Sequence, residues 1–347
     1  MKKLVVLIML IGTFYNCSKD EVDPAKEYMP IQLTSFNMDY NASLSPDGKN
    51  IVFYSLRYTY NPDVAAVLFE LWAMDRYGEN LRRLFKREEM GQGFEIRFIK
   101  WSSKSDYITV LLTSPFAQNS KSEIWKVALT GDKTKLYSFD FGMEKLSYSP
   151  DGTKTAFIIQ GTVSPNGSPL YSLYSANANF SDTTLIEKGL IGDYDWTKDS
   201  KMLVYSFYDR SKENFDLWKT KLDGTGKIRF SETTESEEYF QCSKTDNLIT
   251  YSVNNNVYIT PTDNFSPTII MENTRSSQWI PKRKLISLYS EQSTGDNWWT
   301  ESWIVDLNGK VIRKIAEGEP SQVSFSVNGD YFVYSASGNI WLDYLPR

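Results

Sequence analysis

From about residue 28 onward, the apolar residues of this chain fall in short runs, each bounded by turn-forming residues. Ser45-Pro46-Asp47-Gly48 leads into Ile51-Val52-Phe53-Tyr54, and Ser149-Pro150-Asp151-Gly152 leads into Thr155-Ala156-Phe157. Proline fixes φ at the second turn position, and Asp and Gly accept the tight conformations after it. An apolar run on each side then predicts a hairpin. Weaker versions stand at Trp101-Ser102-Ser103, Trp196-Thr197-Lys198-Asp199-Ser200, Gln241-Cys242-Ser243, Trp279-Ile280-Pro281 and Phe325-Ser326-Val327-Asn328-Gly329. Outside the extreme N-terminus no stretch sustains a 3.6-residue period, so strands are expected throughout.

Downstream of each turn stands a second marker, an aliphatic residue (once Ser) followed by Trp or Tyr. The copies are Leu71-Trp72, Ile124-Trp125, Leu173-Tyr174, Leu217-Trp218, Val257-Tyr258, Ser302-Trp303 and Ile340-Trp341, spaced 38 to 53 residues apart. A period of that length signals propeller blades. Each unit reads as four strands. Strand a ends at the turn, b is the apolar run after it, and c carries the aliphatic–aromatic pair. Strand d is short, as at Leu81–Phe85 or Lys310–Arg313, and Asp223-Gly224 and Asn308-Gly309 supply the turn before it. The seventh copy stops after strand c, at Tyr344, while a spare run, Tyr28–Thr34, precedes the first copy. If that run supplies the missing strand, the ring closes without an open edge.

The expected fold is therefore all-β: a seven-bladed β-propeller of four-stranded antiparallel blades, closed by the N-terminal strand. A six-bladed TolB-like propeller is the alternative, and it leaves one copy unplaced. The column of Trp and Tyr is expected between blades, and Asp47, Asp151 and Asp199 are expected to cap their own hairpins.

The run Ser-Pro-Asp-Gly-Lys-x-Ile-x-Phe (45–53) followed by Leu71-Trp72-x-x-Asp75 resembles the repeats of TolB-like (PD40, distantly WD40-like) β-propellers. The resemblance spans residues 28–347 and is strongest in copies one and three. It implies a fold and leaves the function open, because one superfold hosts many activities.

Met1-Lys2-Lys3 followed by an apolar run to Ile11 is too short to span a bilayer and reads as a secretory signal. Cys17 directly after it resembles the lipid-attachment cysteine of bacterial lipoproteins, although Phe14 and Asn16 stand where Leu and a small residue are usual. The acidic stretch Ser18–Asp23 is similar to the surface-export signal of Bacteroidota lipoproteins; a plain solvated tether is the other reading. The expected organisation is a lipoprotein signal peptide at 1–16, a flexible acidic tether at 17–27 and one propeller at 28–347. The expected location is the outer membrane, facing the cell surface or the periplasm, with acyl chains on Cys17 as the membrane partner.

Composition narrows the chemistry. The chain of 347 residues has aromatic content of 15% and a net charge of −5. It has no basic run beyond the N-terminus, so nucleic acid is not an expected partner. There is no histidine, which removes the usual general base and the commonest metal ligand. No catalytic residue, metal site or cofactor is expected. Cys242 reads as a Ser substitute, matching Ser45, Ser149 and Ser326.

Function is expected in the b–c loops, which vary and emerge on one face: 57–67, 114–123, 161–169, 209–215 and 291–301. Their aromatic residues Tyr58, Tyr60, Phe116, Tyr208, Trp298 and Trp299 are the candidate contacts. The expected activity is binding of an outer-membrane protein complex or a glycan. The alternative is a His-independent enzyme acting on polysaccharide through carboxylates or Tyr at the channel mouth. For that reading Asp193 and Asp195, two apart on one strand, are the acidic pair.

Overall fold

The computed structural model describes residues 29–59, 69–102, 104–114, 120–163, 169–294, 297–315 and 321–346. They form seven four-stranded antiparallel sheets, one per blade. Blade 1 is Asp39–Leu44, Asn50–Ser55, Glu70–Asp75 and Arg82–Phe85; blade 2 is Glu95–Trp101, Tyr107–Thr113, Ser122–Ala128 and Lys133–Phe139. Blade 3 is Met143–Tyr148, Lys154–Val163, Pro169–Asn177 and Thr184–Gly189; blade 4 is Ile191–Trp196, Met202–Asp209, Asn214–Lys221 and Ile228–Arg229. Blade 5 is Glu238–Cys242, Leu248–Val253, Asn256–Pro261 and Thr268–Met271; blade 6 is Arg275–Trp279, Leu285–Thr294, Asn297–Asp306 and Val311–Ile315. No described helix is long and apolar enough to cross a membrane.

Blade 7 joins the two halves of the closure. Ser321–Phe325, Tyr331–Ala336 and Asn339–Tyr344 are completed by Ile31–Gln32, with Ile31 opposite Leu342 and Gln32 opposite Trp341. The Leu33 N–H donates to Ile340 O at 2.8 Å, and the Ile340 N–H to Thr34 Oγ1 at 2.9 Å. The spare N-terminal run is thus the fourth strand of blade 7, and the six-bladed alternative falls.

Every a–b turn is built the same way. The residue after strand a donates its N–H to the carbonyl five residues on: Ser45 to Asn50, Ser102 to Tyr107, Ser149 to Lys154, Thr197 to Met202, Ser243 to Leu248, Ile280 to Leu285 and Ser326 to Tyr331. Inside the turn, Ser45 Oγ donates to Asp47 Oδ1 at 2.6 Å, and Ser149 Oγ to Asp151 Oδ1 at 2.6 Å. The Lys49 and Thr153 N–H groups donate to the same carboxylates. The repeat aspartates cap hairpins, and those donors hold both carboxyls below the usual range against the cost of burial. The turns also link blades, since Ser105 Oγ accepts from the Asp47 N–H and Ser200 Oγ from the Asp151 N–H.

This pattern corrects one alignment. Ser243 is the counterpart of Ser45, Ser149 and Ser326. Cys242 is the counterpart of Leu44, Tyr148 and Phe325, the last residue of strand a; Leu44, Cys242 and Phe325 are buried and Tyr148 is half-buried.

Seven hydrophobic clusters make the core, one between each pair of adjacent blades. Successive side chains of a strand point to opposite faces, so the two residues of each marker serve different clusters. Leu71 packs toward blade 2 and Trp72 toward blade 7; Ile124 packs toward blade 3 and Trp125 toward blade 1. The same division holds for Leu173-Tyr174, Leu217-Trp218, Val257-Tyr258 and Ile340-Trp341. The aliphatic member is completely buried, while every aromatic except Trp72 is only half-buried. The aliphatic partner is thus the more deeply buried half of the column.

Candidate functional site

The a strands form the inner wall around the central axis, and those of blades 1 and 7, 2 and 3, 4 and 5, and 5 and 6 contact one another. All seven carry an irregularity in register with strand b, which re-aims side chains at the rim. Asp193 and Asp195 stand on this inner wall in blade 4. Asp193 is paired with Lys145 of blade 3 at 2.5 Å, and Lys145 also donates to Tyr194 O. Asp195 is paired with Lys244 of blade 5 at 2.7 Å and accepts from the Cys242 N–H at 2.8 Å. The two carboxylates therefore tie blade 4 to different neighbours and do not converge on a shared proton. Among the described residues no group of three or more Cys, Asp or Glu side chains could share a metal ion.

The b–c loops and the d–a links emerge together at one end of the blades. Tyr58 lies there, 69% exposed, with one ring face stacked on Trp72 at 5.7 Å and 2°. The Arg83 guanidinium lies 4.7 Å from its ring centre, and Arg57, ion-paired with buried Asp39, lies over Trp72 and Phe36. Tyr60 and Phe116 lie outside the described residues. Trp298 and Trp299 are not in a loop, because Leu285–Thr294 and Asn297–Asp306 continue as paired strands, with Gln292 opposite Trp299 and Ser293 opposite Trp298.

Tyr208 lines a cleft of about 620 Å³ between blades 3 and 4, with Leu170, Lys188, Gly189, Leu190, Phe207, Asp209, Arg210 and Trp218. The Tyr208 and Phe215 rings pack edge-to-face at 5.1 Å, and Phe207 packs edge-to-face on Trp218 at 6.4 Å. Asp209 is committed to its own turn, where the Ser211 hydroxyl and N–H hold its carboxyl below the usual range. Among the described residues neither Lys188 nor Arg210 has an ion-pair partner, and the buried Trp218 Nε1 has no acceptor. The cleft thus combines an aromatic floor with two unspent cations.

A second cavity, of about 380 Å³, opens beside the axis at blade 5, lined by Glu235, Ser236, Glu238, Tyr239, Ser252, Asn254, Asn255 and Arg275. Its wall is the link from blade 4, braced from below. Glu237 is fully buried and accepts from Ser231 Oγ at 2.6 Å and from Thr233 Oγ1 at 2.5 Å. Burial raises its carboxyl above the usual range, and the Asp216 charge adds to the rise. Asn214 Nδ2 donates to Thr233 O and Glu235 O at 3.1 Å each, and the Phe215 N–H donates to Ser236 Oγ. Sequence reasoning passed over this cavity because it looked to b–c loops, whereas Tyr239 sits at the start of an inner strand. The available signal was its position: Tyr239 occupies the irregularity of copy five that Asn41 occupies in copy one.

Cys242 is buried in the cluster between blades 4 and 5, and burial pushes its thiol up, against activation as a nucleophile. Cys17 lies outside the described residues.

No protein-family model matches the chain, and no curated protein sequence matches it. Solved structures share its fold. An oligogalacturonate lyase in complex with manganese superposes with a TM-score of 0.66 at 12% identity, covering 92% of this chain and 96% of that one. A puromycin hydrolase gives a TM-score of 0.57 at 13% identity, over 90% of this chain and 52% of that one. TolB from Acinetobacter baumannii gives 0.52 at 14% identity, over 86% and 64%. At these identities the likeness is one of architecture: the chain has the TolB-like β-propeller fold, shared by proteins of unlike activity.

Proposed function

We propose that this protein is a non-catalytic binding module, held at the outer membrane by acyl chains on Cys17 and displayed at the cell surface. It engages a protein partner or glycan through the face that carries the b–c loops. The observation that carries this reading is the Tyr208 cleft. Its volume lies in the range of ligand sites, and it offers rigid aromatic surface beside unpaired cations. Aromatic and Arg side chains in such settings are the usual anchors of recognition, which favours an acidic-edged protein partner. The rival reading, a polysaccharide-acting enzyme using carboxylates or Tyr at the channel mouth, loses Asp193 and Asp195 as a cooperating pair, because each is bound to a lysine from a different blade.

The test is affinity capture from detergent-solubilised membranes with wild type and with Tyr208→Ala and Arg210→Glu. A stoichiometric partner recovered by wild type and lost by both variants supports the reading. A partner retained equally by all three, or wild type recovered alone, removes the cleft from consideration.

A further inference from the structure

Tyr239 holds a left-handed backbone, with φ of +49°. For a bulky residue this conformation is an outlier that costs about 1–2 kcal/mol. The fold does not demand tyrosine there, since the equivalent position in blade 1 is Asn41 at φ +54°, a residue type that tolerates the region. Nor does packing compensate, because the side chain is 52% exposed. Strain kept at an exposed aromatic residue on a cavity wall points to use of that side chain.

The cavity supplies the rest of the chemistry. Glu235 and Glu238 offer carboxylates that have no partner among the described residues, and the Asn254 side-chain amide is likewise unspent. Asn255 Oδ1 accepts from Arg275 Nε at 2.8 Å, which fixes a guanidinium beside them. Donors and acceptors in one small space suit hydroxyl groups, which both give and take hydrogen bonds. Two carboxylates against one guanidinium disfavour acidic sugars, while an exposed tyrosine ring offers a flat apolar surface with a polar tip. The wall that carries Glu235 and Ser236 is held by the buried Glu237 network, so little ordering is needed on binding. We propose that this cavity binds a neutral saccharide, with Tyr239 as the platform under one sugar ring and Glu235, Glu238 and Asn254 on its hydroxyls. The site is separate from the Tyr208 cleft, and neither proposal depends on the other.

The experiment is calorimetric titration of the detergent-solubilised full-length protein with maltohexaose, cellohexaose and mannohexaose, beside thermal unfolding. Wild type is expected to bind at least one of them. Tyr239→Asn should weaken that binding at least about tenfold while raising Tm, because strain is released as the platform is lost. Glu238→Ala should weaken it about tenfold with Tm unchanged, the loss of one or two hydrogen bonds. Binding of none of the three sugars, or undiminished binding by Tyr239→Asn, overturns the proposal. So does a fall in Tm for Tyr239→Asn, which makes the tyrosine a structural residue.

Discussion

Leu71 and Trp72 are adjacent in the chain yet belong to different hydrophobic clusters, one on each side of blade 1. Each aliphatic–aromatic pair is thus a rivet through its own sheet. Leu71→Ala should destabilise the protein by about 2–5 kcal/mol. Combined with Ile340→Val, across the sheet, the two losses should add within about 0.5 kcal/mol; combined with Ile108→Val, in the same cluster as Leu71, they should couple more strongly. Urea unfolding of the single and double variants measures both. Equal coupling across and within clusters would show that the clusters are not separate.

The c–d turns press against the preceding blade. Gly309 has φ of +82°, and a Cβ built there would sit 2.1 Å from Ile270 O; Gly131, at +95°, has open space around it. Both Ala variants carry left-handed strain of about 1–2 kcal/mol. Gly309→Ala must also displace backbone, so its Tm should fall clearly further than that of Gly131→Ala. Matching shifts in thermal unfolding would remove crowding as the reason for glycine there.

Asp343 joins blades 7 and 6 through Arg313, whose Nη2 lies 2.7 and 2.8 Å from its two carboxylate oxygens. Burial outweighs the Arg313 charge and raises this carboxyl from 3.8 to about 6. The folded chain therefore holds the proton more tightly than the unfolded chain. The resulting stability is complete below pH 3.8 and is lost as pH rises through about 6. The change amounts to about 3 kcal/mol across that window. The stability of wild type relative to Asp343→Asn should accordingly decline between pH 4 and 7. A flat difference would mean that Asp343 titrates at its ordinary value.

The thiol of Cys242 is 1% exposed among Val204, Leu217, Phe240 and Ile249. It should resist a thiol-reactive dye in native buffer and react fully in guanidinium chloride. Rapid native labelling would show that the interface between blades 4 and 5 opens.

Cys17→Ala should move the protein from the membrane to the soluble fraction, since a single apolar leader offers no comparable hold once processed. Fractionation with immunoblotting reads this directly. Retention in the membrane would refute acylation at Cys17 as the anchor.

Most of the fold was legible because its repeat is written in local turn chemistry. Ser45 and Asp47 close a hairpin through contacts two to five residues away, and the same residues recur in copy three. Where that chemistry is missing, register slipped. Copy five lacks Pro-Asp-Gly, so its sequence sets Cys242 one place from its true counterpart. The paired strands around Trp298 look like a loop in the sequence because Glu291-Gln292-Ser293-Thr294 carries no apolar alternation to mark a strand. The cavities were less legible still. Tyr208 was visible as a loop aromatic, but the Tyr239 site assembles residues 235–239, 252, 254–255 and 275, which come together only when blade 5 is folded against the first strand of blade 6.

The ring closure also fixes the side from which the chain enters the propeller. Ile31 pairs with Leu342 and Gln32 with Trp341, and strand Asn339–Tyr344 runs away from the b–c end of blade 7. Residue 31 therefore enters the ring from the opposite end, at the outermost strand, on the side of the a–b turns. A leash fixed at Cys17 would hold that side toward the bilayer and turn both the Tyr208 cleft and the Tyr239 cavity outward. The strand that completes the last blade would then also act as a mooring that orients the face carrying the b–c loops.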